Sequence, residues 1–273
     1  MPDNNLLEQA RDVAVAAAQQ AGSMIRFHTG QMAEGDIREK RVHDLVTRAD
    51  EASQKHIIET LLAAFPDFDI LAEEGVQEEV ASVADGYRWI IDPIDGTTNF
   101  LHDLPPYAVS IGLQHEEAMV VGVVLDVSRN DLFTAVRGGG TYRNGVRVQV
   151  SETAHLDESL IATGFPYRVF DYLDAYFAVM AQFMRNTRGL RRLGSAAVDL
   201  AYVACGIFDG FFETGLNAWD VAAGLLLVEE AGGHLTDFQN APSSPFDRQI
   251  LASNGQVHTA MLDFTKPLRD IRY

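Results

Sequence analysis

Cysteine is nearly absent: Cys205 is the only one in 273 residues. That excludes an intrachain disulfide framework and suits a reducing compartment. Positive charge is scarce too, with 21 Lys and Arg against 39 Asp and Glu and a formal charge of -18. Such a chain repels nucleic acid and anionic membrane, so neither is expected as a partner. A phosphorylated substrate would have to be drawn in by bound cations. Long hydrophobic runs are missing, and none approaches the roughly 20 residues that span a bilayer. The opening MPDNNLLEQARD has no basic region followed by an apolar stretch, unlike a secretory signal, and the expected location is cytoplasmic. There is no internal repeat, no His-Glu-x-x-His, no Gly-x-Ser-x-Gly and no Cys/His pairing. These absences speak against a zinc protease and against covalent nucleophilic hydrolysis.

What is present is a chain that is 47% hydrophobic, enough for a substantial core. Leu6, Ala10, Val13, Ala14, Ala17, Ala21, Met24 and Ile25 recur at helical spacing, closed by Gly30, and predict a helix over about 5–29. Ile57, Ile58, Leu61, Leu62 and Phe65 predict a second over about 50–65, stopped by Pro66. Short β-branched or aromatic runs follow at 87–91, 107–113, 119–126 and 131–136, with turns at His115-Glu116-Glu117 and Asn144-Gly145. The triplet Gly138-Gly139-Gly140 leads into another strand rather than a helix, unlike a phosphate loop. Beyond about residue 150 the pattern alternates. Strands at 160–163, 189–193 and 208–213 precede helices at 172–184, 195–205 and 219–230. Helices and antiparallel strands over 1–150, then a layered α/β half over 151–273, are expected to share one continuous body.

The most informative stretch is Trp89-Ile90-Ile91-Asp92-Pro93-Ile94-Asp95-Gly96-Thr97-Thr98-Asn99-Phe100. An apolar strand ends in Asp92, Pro93 is expected to end the ladder pairing, and Asp95 follows before Gly-Thr-Thr. In extended chain, positions i and i+3 face opposite ways. A turn at the proline would bring the two carboxylates together, and their repulsion then calls for a cation, with oxygen-only ligands favouring Mg²⁺. Gly96 lets backbone approach a ligand, and a helical turn opening at Thr97 would present N–H groups to an anion. The plainer alternative is an Asp-Pro turn followed by an Asp helix cap. Glu73 and Glu74 end an apolar run, either facing inward or in a solvated loop. Asn217 with Asp220, and Thr47 with Asp50, each read as a helix cap with its carboxylate three residues on, or as a functional acid at a helix mouth. Cys205 reads as core.

Together LAEEG (71–75), WIIDPIDGTTNF (89–100) and WDVAAG (219–224) resemble the inositol monophosphatase family of Mg²⁺-dependent, lithium-inhibited phosphatases. HDLVTRAD (43–50) and RRLGSAAVDLAYVACGIFDGFFE (191–213) extend the resemblance over nearly the whole chain. It implies a layered α-β-α-β-α sandwich of the sugar phosphatase type, mixing α+β and α/β character, usually a homodimer. It implies two or three Mg²⁺ per site held by Glu73, Asp92, Asp95, Asp220 and the carbonyl of Ile94. Thr97, held by Asp50, would orient the attacking water, with Glu73 and the Thr97–Asp50 pair receiving its proton. The amides of Gly96 and Thr97 would grip the phosphate. Arg191, Gly194, Ser195, Ala196, Glu213 and Asp220 would meet the polyol, and Lys40 stands near a mobile-loop lysine of the family. The implied reaction is hydrolysis of inositol monophosphate without a phosphoenzyme. The ATGFPYR segment (162–168) looks like the bacterial form and leaves inositol selectivity open. Fructose 1,6-bisphosphate, histidinol phosphate or a nucleotide bisphosphate are alternative substrates. An interaction protein on the same scaffold is the alternative of another class.

Overall fold

The computed structural model describes residues 3–30, 37–41, 44–74, 86–166 and 169–271, with backbone alone at 37–41 and 44–46. The alanine-rich stripe forms α1 (Asn4–His28), started by Asp3, whose carboxylate accepts from the Asn5 N–H. An antiparallel pair, β1 (Ile37–Arg41) and β2 (Asp44–Thr47), leads into α2 (Arg48–Ala64). Then come β3 (Asp69–Ala72), β4 (Tyr87–Asp95), the short α3 (Thr97–Leu101), β5 (Ala108–His115) and β6 (Ala118–Asp126). The run of strands closes with β7 (Asp131–Val136), β8 (Gly140–Arg143) and β9 (Val146–Val148). Strands β3 to β9 form a seven-stranded sheet in sequence order, parallel only between β3 and β4.

The remaining chain gives β10 (Leu160–Thr163), α4 (Leu173–Asn186), β11 (Gly189–Arg191), α5 (Ala196–Ala204), β12 (Gly210–Thr214) and α6 (Ala218–Glu230). It ends in β13 (His234–Thr236), β14 (Gln249–Ser253) and α7 (His258–Thr265). The second sheet has five strands in the order β11-β10-β12-β14-β13. Its first three strands are parallel, as βαβ alternation requires, while β14 and β13 run antiparallel. The alternating pattern did not reveal that antiparallel edge.

Strand periodicity stacks these sheets into layers. Trp89 and Ile91 of β4 face α1 and α2, whereas Ile90 faces α5 and α6. In the second sheet Phe211 joins the α5–α6 core and Phe212 joins the one beneath α4 and α7. The order is therefore α-β-α-β-α, as the resemblance implies. Helix α6 lies almost on the backbone of the first sheet. A Cβ at Gly122 would come within 2.6 Å of the Ala223 carbonyl oxygen, and one at Gly112 within 3.1 Å of the Ala222 Cβ. This close approach carries the N-terminus of α6, with Asp220, over the end of β4.

Candidate active site

One irregularity in β4 builds the acid wall. Pairing with β5 runs Asp92 against Ser110 and Asp95 against Ala108, so three steps on one strand oppose two on the other. That is a β-bulge, and it reverses the alternation of faces. Ile91 and Ile94 both point to the α1–α2 core, leaving Asp92 and Asp95 together on the face toward α5 and α6. The expectation that Pro93 ends the ladder is thus corrected: the strand absorbs the proline in the bulge, where its missing N–H is not needed. The expected convergence of the carboxylates follows from the extra residue.

Each carboxylate is gripped by its own element. The Ile94 N–H donates to Asp92 Oδ1 at 3.0 Å. Asp95 Oδ2 accepts from Ser195 Oγ at 2.6 Å and from the Ala197 N–H at 2.7 Å, at the start of α5. Asp220 Oδ2 accepts from the Asn217 N–H at 2.7 Å. Asp50 accepts the Thr47 N–H at 2.9 Å through Oδ2, while its Oδ1 takes the Thr97 hydroxyl at 3.3 Å. Capping and the proposed functional contact therefore coexist in Asp50. Thr97 Oγ1 also lies 3.0 Å from the Ile94 carbonyl oxygen. The Glu73 N–H donates to Ile91 O at 3.1 Å, prolonging the β3–β4 pairing, so Glu73 stands at the strand end.

Electrostatics marks the wall as strained. Burial raises the Asp92 pKa well above the usual carboxylate range, and the charges of Glu73, Asp95, Asp220 and Asp50 raise it further. Asp95 is pushed up to about 6 by burial, although its bonds from Ser195 and Ala197 pull the other way. Among the described residues no three His, Cys, Asp or Glu side chains stand close enough to hold a metal ion as they are. A donor set made of carboxylates and one carbonyl, in which Asp92 bears the repulsion of four acidic neighbours, fits a hard divalent ion such as Mg²⁺.

The second wall is formed by β12, α5 and the segment after β11. Glu213 is buried, and a Cβ at residue 164 would fall on its carboxyl group, so any side chain there requires that carboxyl to move. Burial and the nearby Asp220 push the Glu213 pKa up to about 8. Gly194 has φ +91°, a conformation suited to glycine, and Ala196 opens α5. The Ser195 hydroxyl is turned to Asp95 and buried. Arg191 is exposed and bonds the Leu190 carbonyl oxygen. Arg192 is the arginine whose charge reaches Asp95 and Glu213, and it stacks 5.3 Å from the centre of the Phe165 ring. The Lys40 side chain, His43, Gly75, Tyr167 and Arg168 lie outside the described residues.

Sequence reasoning missed three residues here. Asp199, inside the apolar α5, is buried beside Glu213. Asn99 donates through Nδ2 to the carbonyl oxygens of Pro106 at 2.8 Å and Leu193 at 2.7 Å, tying the two walls together. Gln54 reaches the end of β3 from α2. An aspartate interrupting an apolar helix was a visible signal for Asp199. Asn99 and Gln54 had none.

A layered α-β-α-β-α sandwich with buried carboxylates gathered from β4, β12 and α6 is the architecture of the sugar phosphatase class. Residues 6–266 match the inositol monophosphatase family, and the chain belongs to it. The Nus factor SuhB of Escherichia coli strain K12 is 42% identical over 251 residues, covering 92% of this chain and 93% of that protein. Among solved structures, the extragenic suppressor protein suhB from Bartonella henselae superposes with a TM-score of 0.87 at 38% identity, covering 94% of this chain and 98% of that one. The inositol monophosphatase from Anabaena (Nostoc) sp. PCC 7120 superposes with a TM-score of 0.83, also at 38% identity, covering 94% of this chain and 95% of that one. No described helix is long and apolar enough to cross a membrane.

Proposed function

We propose that the chain is a Mg²⁺-dependent, lithium-sensitive phosphomonoesterase acting on a small phosphorylated polyol in the cytoplasm, with inositol monophosphate as the substrate tested first. The observation that carries this reading is the bulge that turns Asp92 and Asp95 to one face, beside Glu73 and Asp220. When bound, Mg²⁺ would lower the pKa of a coordinated water and stabilise the leaving oxygen. Glu73, Asp92, Asp95, Asp220 and the Ile94 carbonyl are the groups that would hold it. Thr97 orients the water, since its hydroxyl is tied to Asp50, and Glu73 with that pair takes up the proton. Gly96 and Thr97 receive the phosphate through their amides. Arg191, Gly194, Ser195, Ala196, Glu213 and Asp220 line the polyol side, with Arg192 supplying positive charge. A homodimer is part of the reading.

The test is phosphate release from inositol 1-phosphate, fructose 1,6-bisphosphate, histidinol phosphate and an adenosine bisphosphate. Release that requires Mg²⁺ and falls in millimolar Li⁺ is expected. Undiminished turnover in excess chelator sinks the proposal.

The Nus factor name of the relatives favours a second reading, an assembly role in which the chain binds transcription machinery. It stands against the expectation of no nucleic-acid partner. With a formal charge of -18, a protein contact is the better fit than a direct one to nucleic acid. A stoichiometric partner recovered equally by wild type and Asp95→Asn would support this role.

A further inference from the structure

Helix α2 carries a polar stripe that the reaction as described uses only at one end. Asp50, Ser53 and Gln54 occupy positions i, i+3 and i+4, so they share one helix face, and all three are buried. Each reaches a different acid-bearing segment. Asp50 holds Thr97, at the start of α3. The Ser53 hydroxyl donates to the Pro93 carbonyl oxygen at 3.3 Å, inside the bulge between Asp92 and Asp95. Gln54 Nε2 donates to the Glu74 carbonyl oxygen at 2.6 Å, while the Glu74 N–H donates to Gln54 Oε1 at 2.8 Å.

The Gln54 contact is the tightest of the set. A carboxamide offers both a donor and an acceptor, and Gln54 uses both on the N–H and C=O of Glu74, in the turn that follows β3. Pairing with β4 stops at Ala72 against Ile91, with one further bond from the Glu73 N–H. Past that point the chain turns, and Gln54 holds the turn by both backbone groups of Glu74. Fixing both backbone groups of Glu74 fixes the direction in which the preceding Cα–Cβ bond of Glu73 leaves the chain.

We infer that Gln54 is a positioning residue that sets Glu73 against the β4 carboxylates, making α2 a brace across the three segments of the acid wall. This rests on the proposed function, because Glu73 matters only if the wall holds a cation. Groups that orient a metal ligand typically change metal affinity or activity by about 10–100-fold when removed. A misplacement of one ligand also weakens the chemical step more than substrate binding.

The experiment compares wild type with Gln54→Leu, which keeps bulk and loses both bonds, and Gln54→Glu, which keeps the acceptor for the Glu74 N–H. Mn²⁺ affinity is measured by calorimetry on the full chain, and Mg²⁺ activation, kcat and KM by phosphate release. For Gln54→Leu, Mn²⁺ binding about tenfold weaker, kcat about tenfold lower and KM within about twofold are expected. Partial recovery in Gln54→Glu is expected, with the thermal midpoint little changed in both. A folded Gln54→Leu that matches wild type in Mn²⁺ affinity and Mg²⁺ activation overturns the inference. If Gln54→Leu does not fold, Gln54→Asn, one methylene too short for both bonds, takes its place, and unchanged Mn²⁺ affinity there overturns it equally. A wild type that neither binds Mn²⁺ nor releases phosphate brings down the proposed function first, whereas an active wild type with an indifferent Gln54 brings down this inference alone.

Discussion

Asp92 and Asp199 are both enclosed carboxyl groups with raised pKa values, and the reasons differ. Burial is the first cause in each. Asp92 is then pushed further by four acidic neighbours, Glu73, Asp95, Asp220 and Asp50. Asp199 feels Glu213 and Asp95, but Arg192 offsets part of that. Its Oδ1 is buried without a hydrogen-bond partner among the described residues. The β4 wall is thus a set of carboxylates crowded beyond what protons settle comfortably, which is the condition for a divalent ion. On the α5–β12 wall the raised acids, Glu213 and Asp199, have the Arg192 charge beside them.

The sharpest way to break that contrast is to neutralise one acid on each wall. Asp95→Asn is expected to lower kcat by about 1,000-fold, above the roughly 10–100-fold typical of groups that only support a ligand. Circular dichroism should stay native, because one fewer buried charge relieves repulsion. Glu213→Gln is expected to raise KM about tenfold with a smaller change in kcat, the pattern of lost substrate binding. Equal effects of the two on kcat would erase the distinction between a metal wall and a polyol wall.

The pH dependence of the metal-free protein sharpens it further. Glu213 has its folded pKa at about 8, above the ordinary glutamate value of 4.5. The folded state therefore favours its protonated form. Its contribution to stability is full below about pH 4.5 and is lost progressively as pH rises toward 8. Asp95, at about 6 against 3.8, acts the same way over a lower window. In chelator the thermal midpoint should fall between about pH 5 and pH 8, by the equivalent of a few kcal/mol in all. Mg²⁺ should restore stability at the alkaline end, and Glu213→Gln should flatten the slope. A midpoint that climbs over this range in chelator would mean the acids are not strained.

How much of this was legible in the sequence depends on whether a feature is local. The Asp92–Asp95 pair, the Thr97 turn and both helix-mouth aspartates were readable, because motif and cap chemistry lie within a few residues. The order of layers followed from the resemblance, with helical and alternating periods in support. The bulge was not readable, since it exists only in the register of β4 against β5. Strands β13 and β14 were missed because β12 looked like one more step of a parallel series. Gln54 looked like an ordinary polar position in α2, and only the fold brings Glu74 to it. Arg191 and Arg192 are adjacent, and only the fold shows that the Arg192 charge reaches Asp95 and Glu213.

Gly164→Ala tests the polyol wall sterically. A Cβ there would overlap the buried Glu213 carboxyl group and displace it. We expect a loss of about 1–3 kcal/mol from overpacking, together with a raised KM. Thermal melting and phosphate-release kinetics read the two effects, and an unchanged KM would place the polyol elsewhere.

The smallest effect should come from Asp199→Asn. If burial, Glu213 and Asp95 keep this carboxyl protonated, an amide of nearly the same shape replaces a neutral group with a neutral group. The thermal midpoint should then shift by no more than the equivalent of about 1 kcal/mol, and its slope with pH should stay as in wild type. A large stabilisation from Asp199→Asn at pH 7 would show that Asp199 is ionised in the folded protein. Both walls would then carry negative charge, and the hydroxyl-binding surface would have to lie nearer to Arg192 than to Glu213.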